Sequence, residues 1–319
     1  MEWLHGGFGD CLPFLKKEPA VRQDIRRWYP EARSVLVCGF AYGGPLPAVP
    51  GGACRSPLAE GDGRSFGRIA RYAAHEDYHG ALKLRMQSVL AWLRQERPGA
   101  DGRIFVDSSP VLERLYGAAA GLGWIGRNRL LISEEIGSFF LVAGIALNAD
   151  LPPDAAAPDG CGSCRLCLDA CPPQALREGG LDAKRCTAFL TVEHRGAVPE
   201  ALRPSLGCWV AGCDVCQEVC PWNSGARTTP SAGALRPLLP LSMPLEELAL
   251  LDEKGFLERF GETPLRRLRR RRLARNAVLA MGNCADESFR PVLDRLAQAP
   301  DPELRAQALW SLARLPSLA

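Results

Sequence analysis

Runs of apolar residues along the chain differ in their spacing, and the spacing predicts which runs are strands and which are helices. Residues 32–42 read ARSVLVCGFAY, an apolar, β-branched run without polar alternation, which is typical of a strand buried on both faces. Apolar residues between Asp77 and Arg94 recur at helical spacing and predict an amphipathic helix. The intervening residues 43–64 are rich in Gly and Pro and predict a loop.

The next part of the chain combines strands with a second helix. Residues 103–107 predict a short strand. Ser109 and Pro110 suit the N-cap and first position of a helix that ends at glycines near Gly123. Residues 126–133 and 137–147 predict further β-structure, so the first 150 residues predict an α/β or α+β domain.

Helical spacing returns near the C-terminus. Residues 265–283, 289–299 and 302–315 predict three helical segments separated by Pro or by Gly and Asn. The order Asp301-Pro302-Glu303, followed by apolar residues, resembles the second half of a HEAT-type repeat. Because one or two repeats are too few for a free-standing solenoid, we expect this region to dock on the segment before it.

Composition limits the class of protein. The chain has 319 residues, of which 47% are hydrophobic and 24% charged, and a formal net charge of +3. This length predicts two or three domains of an ordinary globular protein. The start has no basic stretch followed by an apolar one, and no run approaches ~18 uncharged apolar residues. We therefore expect a cytoplasmic protein without a membrane span.

Eight of the thirteen cysteines have the spacing of iron–sulfur ligands. One group reads C-x-x-C-x-x-C-x-x-x-C-P from Cys161, and a second closes as C-x-x-C-x-x-x-C-P from Cys213. In two-cluster folds with this spacing, the cysteine before proline ligates the other cluster. The predicted ligand sets are Cys161, Cys164, Cys167 and Cys220 for cluster A, and Cys171, Cys186, Cys213 and Cys216 for cluster B.

Structural zinc is the alternative for these cysteines. It would explain one C-x-x-C pair, but two reciprocal groups are more specific for two [4Fe–4S] clusters. Clustered thiolates also fit a reducing compartment. The remaining cysteines lie outside these motifs, and each is expected to be a small buried or half-buried residue: Cys11, Cys38, Cys54, Cys208 and Cys284.

Further motifs lie in order on the N-terminal side of the cysteine groups: residues 71–79 (RYAAHEDYH), 104–110 (IFVDSSP), 120–128 (AGLGWIGRN) and 135–140 (EIGSFF). With the cysteine groups, they resemble the epoxyqueuosine reductase family of tRNA-modifying enzymes. The fold class implied is α+β, and it has three parts. These are an N-terminal α/β cobalamin-binding domain (1–150), a ferredoxin-like two-[4Fe–4S] domain (151–230) and a short C-terminal α-helical HEAT-like region (231–319).

The resemblance implies a reaction and its catalytic acid. In the family, electrons pass through two clusters to a cobalamin with no protein ligand below the cobalt. The epoxide of epoxyqueuosine at the tRNA wobble position is reduced to queuosine with loss of water. Asp107 matches the family's acid, and in an apolar pocket its pKa should be raised. Without the resemblance, Asp107 would be assigned a turn or capping role.

Other residues match positions beside the family's cofactor. The candidates to line the cobalamin pocket are Arg71, Tyr72, Tyr78, Asp107, Gly137, Ser138 and Asp214. His75 and His79 are expected to be surface groups rather than cobalt ligands. The glycine-rich residues 121–126 lack the context of a dinucleotide-binding loop, so their glycines are expected to let the backbone approach the corrin or the substrate.

Seven arginines fall between Pro264 and Asn276. A solvated helix face would explain them, but the family's substrate favours phosphate contacts. The predicted tRNA contacts are Arg266, Arg267, Arg269, Arg270, Arg271 and Arg275. The expected partners are a tRNA anticodon stem-loop carrying epoxyqueuosine, whose modified base enters the pocket, and a low-potential electron donor. The protein is expected to act as a monomer.

Two other functions share some of these features. A corrinoid-dependent reductive dehalogenase also combines cobalamin with two clusters, but such enzymes usually have an export signal and a longer chain. A non-catalytic two-cluster electron-transfer protein would bind no corrinoid. Neither alternative explains the arginine-rich segment.

Overall fold

The computed structural model describes residues 10–42, 65–224 and 234–316. In these ranges the strands are β1 (Ser34–Ala41), β2 (Phe66–Ile69), β3 (Gly102–Val106), β4 (Trp124–Ile125), β5 (Leu131–Ile132), β6 (Phe140–Leu147), β7 (Leu176–Arg177), β8 (Gly180–Leu181), β9 (Trp209–Ala211) and β10 (Ser242–Pro244). The predicted loop at residues 43–64 lies outside the described residues.

The helices are α1 (Pro19–Gln23), α2 (Tyr78–Glu96), α3 (Glu113–Ala119), α4 (Leu166–Asp169), α5 (Thr187–Val192), α6 (Val215–Glu218), α7 (Pro221–Ser224), α8 (Leu245–Leu250), α9 (Glu253–Phe260), α10 (Arg269–Cys284), α11 (Arg290–Leu296) and α12 (Pro302–Leu312). Short 3-10 turns lie between them, at Pro13–Lys16, Ile25–Arg27, Arg71–Ala74, Glu200–Leu202, Pro204–Leu206, Pro264–Leu268 and Glu287–Phe289. Within the described ranges, none of the helices combines the length and the apolar character needed to cross a bilayer.

The N-terminal sheet has the order β1-β6-β3, with both pairs antiparallel. Helix α2 packs on it through Leu82, Met86 and Leu90, which join Ile145 in one apolar cluster. The predicted strand and helix are confirmed, but two details differ. The antiparallel pairing makes this sheet α+β rather than α/β in character. Strand β1 is at the sheet edge, so most of its side chains are half-buried rather than buried on both faces.

Helix α3 begins later than predicted. Its N-cap is Leu112, which gives no side-chain cap, so Ser109 and Pro110 precede the helix. The chain turns sharply after β3, where Asp107 has a φ of 49° and the Ser108 N–H donates to the carbonyl of Val106 at 2.6 Å. Positive φ is uncommon outside glycine, but aspartate adopts it more readily than most residues do.

A second sheet draws one strand from each of the three predicted segments. Its order is β10-β2-β9, in which β2 pairs antiparallel with β10 and parallel with β9. At Gly67 of β2, a Cβ would meet Val210 at 2.7 Å and Leu245 at 2.8 Å, so a larger residue would separate the strands from the helices. Backbone pairing in this sheet therefore joins the three predicted segments. The predicted boundaries between domains, near residues 150 and 230, remain predictions.

The C-terminal helices enclose the largest apolar cluster. All three predicted helical segments are helical, as α10, α11 and α12. Most of α10 is buried, and Gly282 lets Ser311 of α12 approach so closely that a Cβ would lie 2.6 Å from its Oγ. These helices also contact β9 and α5, as the predicted docking requires. The HEAT-like character of this region remains a prediction.

Arg275 and Asn276 of α10 form a buried polar network with the preceding segment. Arg275 is 1% exposed, and its guanidinium donates to the carbonyls of Leu190 (2.7 Å), His194 (3.1 Å) and Gly196 (2.6 Å). The Asn276 amide donates to the carbonyls of Thr191 and Val210 at 2.8 and 2.7 Å. Burial lowers the pKa of Arg275 to about 10, which leaves it charged at neutral pH. Burial also removes Arg275 from the predicted tRNA surface.

Replacing Arg275 with Met should lower the free energy of unfolding by about 3 kcal/mol, because buried carbonyls would lose their charged donor. Anaerobic urea unfolding followed by circular dichroism measures the change. The matched control is Arg271→Met, since Arg271 is 59% exposed and pairs with Asp301 at 2.6 Å. Exposed pairs contribute ~0–1 kcal/mol. Equal losses in the two variants would contradict a structural role specific to Arg275.

Candidate active site

The eight motif cysteines lie in two groups. Burial and the neighbouring thiols of Cys161 and Cys164 raise the pKa of both Cys167 and Cys220. In the other group, burial and Cys171 raise the pKa of Cys186. Burial and the thiols of Cys186 and Cys171 raise the pKa of Cys213 and Cys216. These two groups have the same members as the predicted ligand sets. Cys171 lies with the cysteines of the second motif, and Cys220 lies with those of the first, as predicted. The grouping supports the predicted assignment of ligands to clusters A and B, which remains a prediction.

Structural zinc, the alternative for these cysteines, has a strict ligand geometry. A zinc ion would draw four ligands to within about 2.3 Å of one point. Among the described residues, no three His, Cys, Asp or Glu side chains converge in this way. Five of the thiols have raised pKa values, so they would release protons on binding iron: Cys167, Cys186, Cys213, Cys216 and Cys220.

The glycine-rich residues 121–126 lie beside the first cysteine group. At Gly123, a Cβ would meet the carbonyl of Ile132 at 1.9 Å, and at Gly121 it would meet the carbonyl of Ala155 at 2.6 Å. These glycines therefore accommodate the protein's own backbone, and the expectation that they approach a corrin is wrong.

Between these glycines, Trp124 directs its side chain to Cys161 of the first cysteine group. Its indole N–H donates to the Sγ of Cys161 at 3.5 Å. Trp222 meets its ring edge-on, with centroids 4.9 Å apart. The motif thus shapes the surroundings of Cys161, which is a predicted ligand of cluster A.

The cysteines outside the motifs are placed as expected where they are described. Cys208 is buried, and Cys11, Cys38 and Cys284 are half-buried. Burial raises the pKa of Cys284 to about 12, which leaves its thiol protonated. Cys54 lies outside the described residues.

Two adjoining cavities lie between the cysteine groups and the N-terminal sheet. The first, of about 520 Å³, has Cys171, Cys186, Cys213 and Cys216 in its wall. The second, of about 910 Å³, contains Asp107. Tyr72 and Tyr78 line both cavities, so the two spaces meet at these aromatic rings.

Four of the predicted cofactor-binding residues line the first cavity: Tyr72, Tyr78, Ser138 and Asp214. Of the other three, Asp107 lines the second cavity, and Arg71 and Gly137 line neither. Arg71 donates its backbone N–H to Asp214 at 2.7 Å, while its guanidinium lies 4.3 Å from the ring centre of Phe139. Gly137 has a φ of 68° and faces Asn223, where a Cβ would lie 2.1 Å from the amide oxygen.

Ser138 and Asp214 are held in the wall by buried polar contacts. The Ser138 N–H donates to the Asn223 Oδ1 at 2.6 Å, and Gln217 donates to the Ser138 carbonyl at 2.9 Å. Burial raises the pKa of Asp214 to about 7, although the Arg71 N–H opposes this shift. The contacts attach the loop before β6 to α6, the helix that carries Cys216.

Asp107 belongs to a chain of hydrogen bonds in the second cavity. Its Oδ2 accepts from the Tyr78 hydroxyl at 2.8 Å and lies 2.9 Å from the Nε2 of His79. The Nδ1 of His79 lies 2.6 Å from the Asp77 Oδ1. Since both ring nitrogens face carboxylates, the arrangement suits an imidazolium.

The pKa of Asp107 differs from the expectation. The hydrogen bond with His79 lowers it, and burial does not outweigh that effect. Burial alone would lower the pKa of His79, but hydrogen bonds to Asp107 and Asp77 outweigh burial and raise it. The predicted raised pKa of Asp107 is therefore wrong for this state, in which the hydrogen bond with His79 favours the Asp107 carboxylate.

His79 is the site residue that the sequence interpretation missed. Its side chain is 15% exposed, so the expectation of a surface group is wrong. Asp77, two residues earlier, both caps α2 and contacts the ring, which was the available signal. His75 is half-buried, and its Nδ1 lies 3.0 Å from the carbonyl of Arg71.

The arginine-rich segment divides into exposed and neutralised side chains. Arg266, Arg267 and Arg269 are exposed and make no ion pair within the described ranges. Arg270 lies 3.6 Å from Glu253, and Arg271 lies 2.6 Å from Asp301. Arg267 also lines the second cavity, as does Arg272. The unpaired arginines thus extend from the surface to the rim of this cavity.

Comparison with known proteins agrees with these two parts of the site. Residues 160–223 match the family model of a 4Fe-4S double cluster binding domain, which defines an iron–sulfur protein. Residues 22–108 match the model described as epoxyqueuosine reductase QueG, DUF1730. The epoxyqueuosine reductase of Pseudomonas aeruginosa is 35% identical over 98% of this chain and 85% of its own length. The chain belongs to the epoxyqueuosine reductase family.

Solved structures show the same likeness. The epoxyqueuosine reductase of Streptococcus thermophilus superposes with a TM-score of 0.84 at 25% identity, over 98% of this chain and 81% of that one. An epoxyqueuosine reductase crystallised with an epoxyqueuosine-modified tRNA-Tyr stem loop has a TM-score of 0.79 at 30% identity. The superposition covers 91% of this chain and 75% of the chain in that crystal structure.

Replacing Cys220 with Ala should remove cluster A although Cys220 belongs to the second motif. Bound iron should fall from about eight to about four atoms per chain. The spectrum of the reduced protein in electron paramagnetic resonance should match that of Cys164→Ala and differ from that of Cys216→Ala. Cys38→Ala should keep both clusters. A match between the Cys220 and Cys216 variants would overturn the crossed assignment.

Proposed function

We propose that this protein reduces the epoxide of epoxyqueuosine in tRNA to queuosine, with electrons delivered through two [4Fe–4S] clusters to a cobalamin. One observation carries the proposal. The cavity that has the cluster B cysteines in its wall opens into the cavity that contains Asp107. Electrons and protons would therefore reach one shared space from different sides.

The first cavity fits a corrin. Its wall is largely apolar and aromatic, with Tyr42, Tyr72 and Phe140 among its residues. Such a wall suits a large planar cofactor, which needs few but well-placed polar partners, here Ser138 and Asp214. When bound, cobalamin supplies a strongly reducing metal centre that the side chains of the chain cannot provide.

The second cavity supplies protons to the substrate. With Asp107 ionised and His79 protonated, a proton can pass from His79 through Asp107 to the epoxide oxygen as its C–O bond breaks. Asp77 stabilises His79 in the orientation that this transfer needs. The hydroxyl of Tyr78 holds the same Asp107 oxygen, which fixes the carboxylate against rotation.

The unpaired arginines support tRNA binding at the same opening. Arg266, Arg267 and Arg269 present positive charge beside the cavity of Asp107, and cations of this kind bind phosphates without reading sequence. The relative crystallised with an epoxyqueuosine-modified stem loop is named as an epoxyqueuosine reductase, and its bound stem loop is a fragment of a tRNA. Selection of the modified nucleotide would come from its fit in the cavity after it leaves the stack.

The proposal implies a compartment, a kind of electron donor and an oligomeric state. Reduced cysteine clusters favour the cytoplasm as the site of the reaction. Two clusters require a donor that delivers low-potential electrons singly. We also propose that a monomer is sufficient, because both cavities are lined by one chain.

Asp107→Asn should reduce turnover by ~10²–10⁴-fold, because the amide cannot pass a proton to the leaving oxygen. The assay is anaerobic conversion of epoxyqueuosine-containing tRNA by protein reconstituted with iron and cob(II)alamin. Asp294→Asn, at an exposed position of α11, is the control and should retain turnover. Corrinoid binding without wild-type turnover would refute the proposed substrate, and absence of corrinoid binding would refute the proposed cofactor.

Changing both Arg266 and Arg269 to Ala should weaken binding of the tRNA stem-loop and reduce the slope of log affinity against log salt by ~1–2. The rate at saturating tRNA should change little, because neither residue lines the second cavity. Fluorescence anisotropy at several salt concentrations measures both quantities. Arg295→Ala, on the exposed side of α11, should leave the slope unchanged, and an unchanged slope in the double variant would contradict the proposed surface.

A further inference from the structure

The proposed reaction, on which this inference rests, consumes two protons. Reduction of an epoxide to an alkene breaks two C–O bonds with two electrons, which the clusters deliver. The oxygen leaves as water, so it must gain two protons. The hydrogen-bonded residues Asp107 and His79 supply one proton in each turnover. A second acid in the same cavity would complete the balance.

Glu113 lies in the wall of this cavity. It is the first residue of α3, and its side chain lines the second cavity together with Asp107. The backbone N–H of Asp107 donates a hydrogen bond to its carboxyl group. Its Oε1 is buried and has no hydrogen-bond partner among the described residues.

An unpartnered buried oxygen favours the neutral acid. A carboxylate in this position would be desolvated without a donor for one of its oxygens, which is costly. A carboxylic acid carries its own O–H and can donate it into the cavity.

Burial, more than the surrounding charges, has the same effect on the pKa of Glu113. Burial and the negative charge of Asp107 raise the pKa of Glu113 to about 8, while Arg114 and Arg22 oppose the shift from α3 and α1. A group with this pKa holds its proton at pH 7 and loses it as the pH rises through 8. Asp107, in contrast, is ionised at the same pH.

We propose that Glu113 is the second proton donor of the reaction. Its O–H bond breaks as a new O–H bond forms on the oxygen already protonated through Asp107, and that oxygen departs as water. The Asp107 N–H and Arg114 then stabilise the carboxylate that remains. Solvent restores its proton through the open side of the cavity before the next turnover.

Glu113→Gln tests the donor directly, because glutamine keeps the shape but cannot release a proton. With prereduced, cobalamin-loaded protein, the single-turnover rate should fall by about 10²-fold. The decline of wild-type kcat/KM above about pH 8 should disappear in the variant. Glu113→Asp should recover part of the rate, and Glu96→Gln, at the exposed end of α2, should behave as wild type.

A second measurement needs no substrate. The infrared carbonyl stretch of the protonated Glu113 carboxyl should be present at pH 7, disappear above pH 8 and be absent from Glu113→Gln. The band of Asp214, whose pKa burial raises to about 7, should remain in the variant. A wild-type rate and pH profile in Glu113→Gln, or no band at pH 7 that this substitution removes, would overturn the inference. Failure of wild-type turnover would refute the proposed function alone, since the infrared band reports the Glu113 proton without tRNA.

Discussion

The position of the cavity wall depends on the buried guanidinium of Arg275. This side chain and Asn276 hold the backbone of residues 190–196 against α10. Val192 and Glu193, within that stretch, line both cavities. A buried cation is stable only when its donors are satisfied, and here backbone carbonyls supply most of the acceptors. The C-terminal helices therefore contribute to the site by positioning this wall, as well as through Arg272 of α10, which lines the second cavity.

The two cavities separate the two tasks that a reductive cleavage requires. Cysteines of one predicted cluster lie in the wall of the first cavity, and the second contains several titratable groups, including Asp107, His79 and Glu113. The shared Tyr72 and Tyr78 are half-buried, and burial of their hydroxyls raises the pKa of both, so the hydroxyls stay protonated throughout the working range. They can thus hold a cofactor edge and the acid in place without taking part in proton exchange.

Features governed by local spacing could be predicted from the sequence. The cysteine motifs were predictable because ligand geometry constrains spacing directly. Strand β1 and helix α2 were predictable because each carries its own periodic apolar pattern. The later start of α3 was not, because it follows from the left-handed turn at Asp107, which tertiary contacts of its carboxylate maintain.

Burial within the arginine run was equally hard to predict. Arg275 resembles its neighbours in type, and only its position between Ala274 and Asn276, at the start of an apolar stretch, sets it apart. The strands β2 and β10 are too short to show a period. Their pairing joins parts of the chain that no motif connects.

That pairing has a consequence for how the chain folds during synthesis. Strand β2 emerges from the ribosome early, yet its partners β9 and β10 lie far downstream in the chain. At ~5–20 residues per second, β2 waits on the order of ten seconds with both edges unpaired. Long-range pairing of this kind slows folding and leaves strand edges open to wrong partners. The N-terminal part can therefore complete its structure only near the end of translation, when the segment that receives the iron is already made.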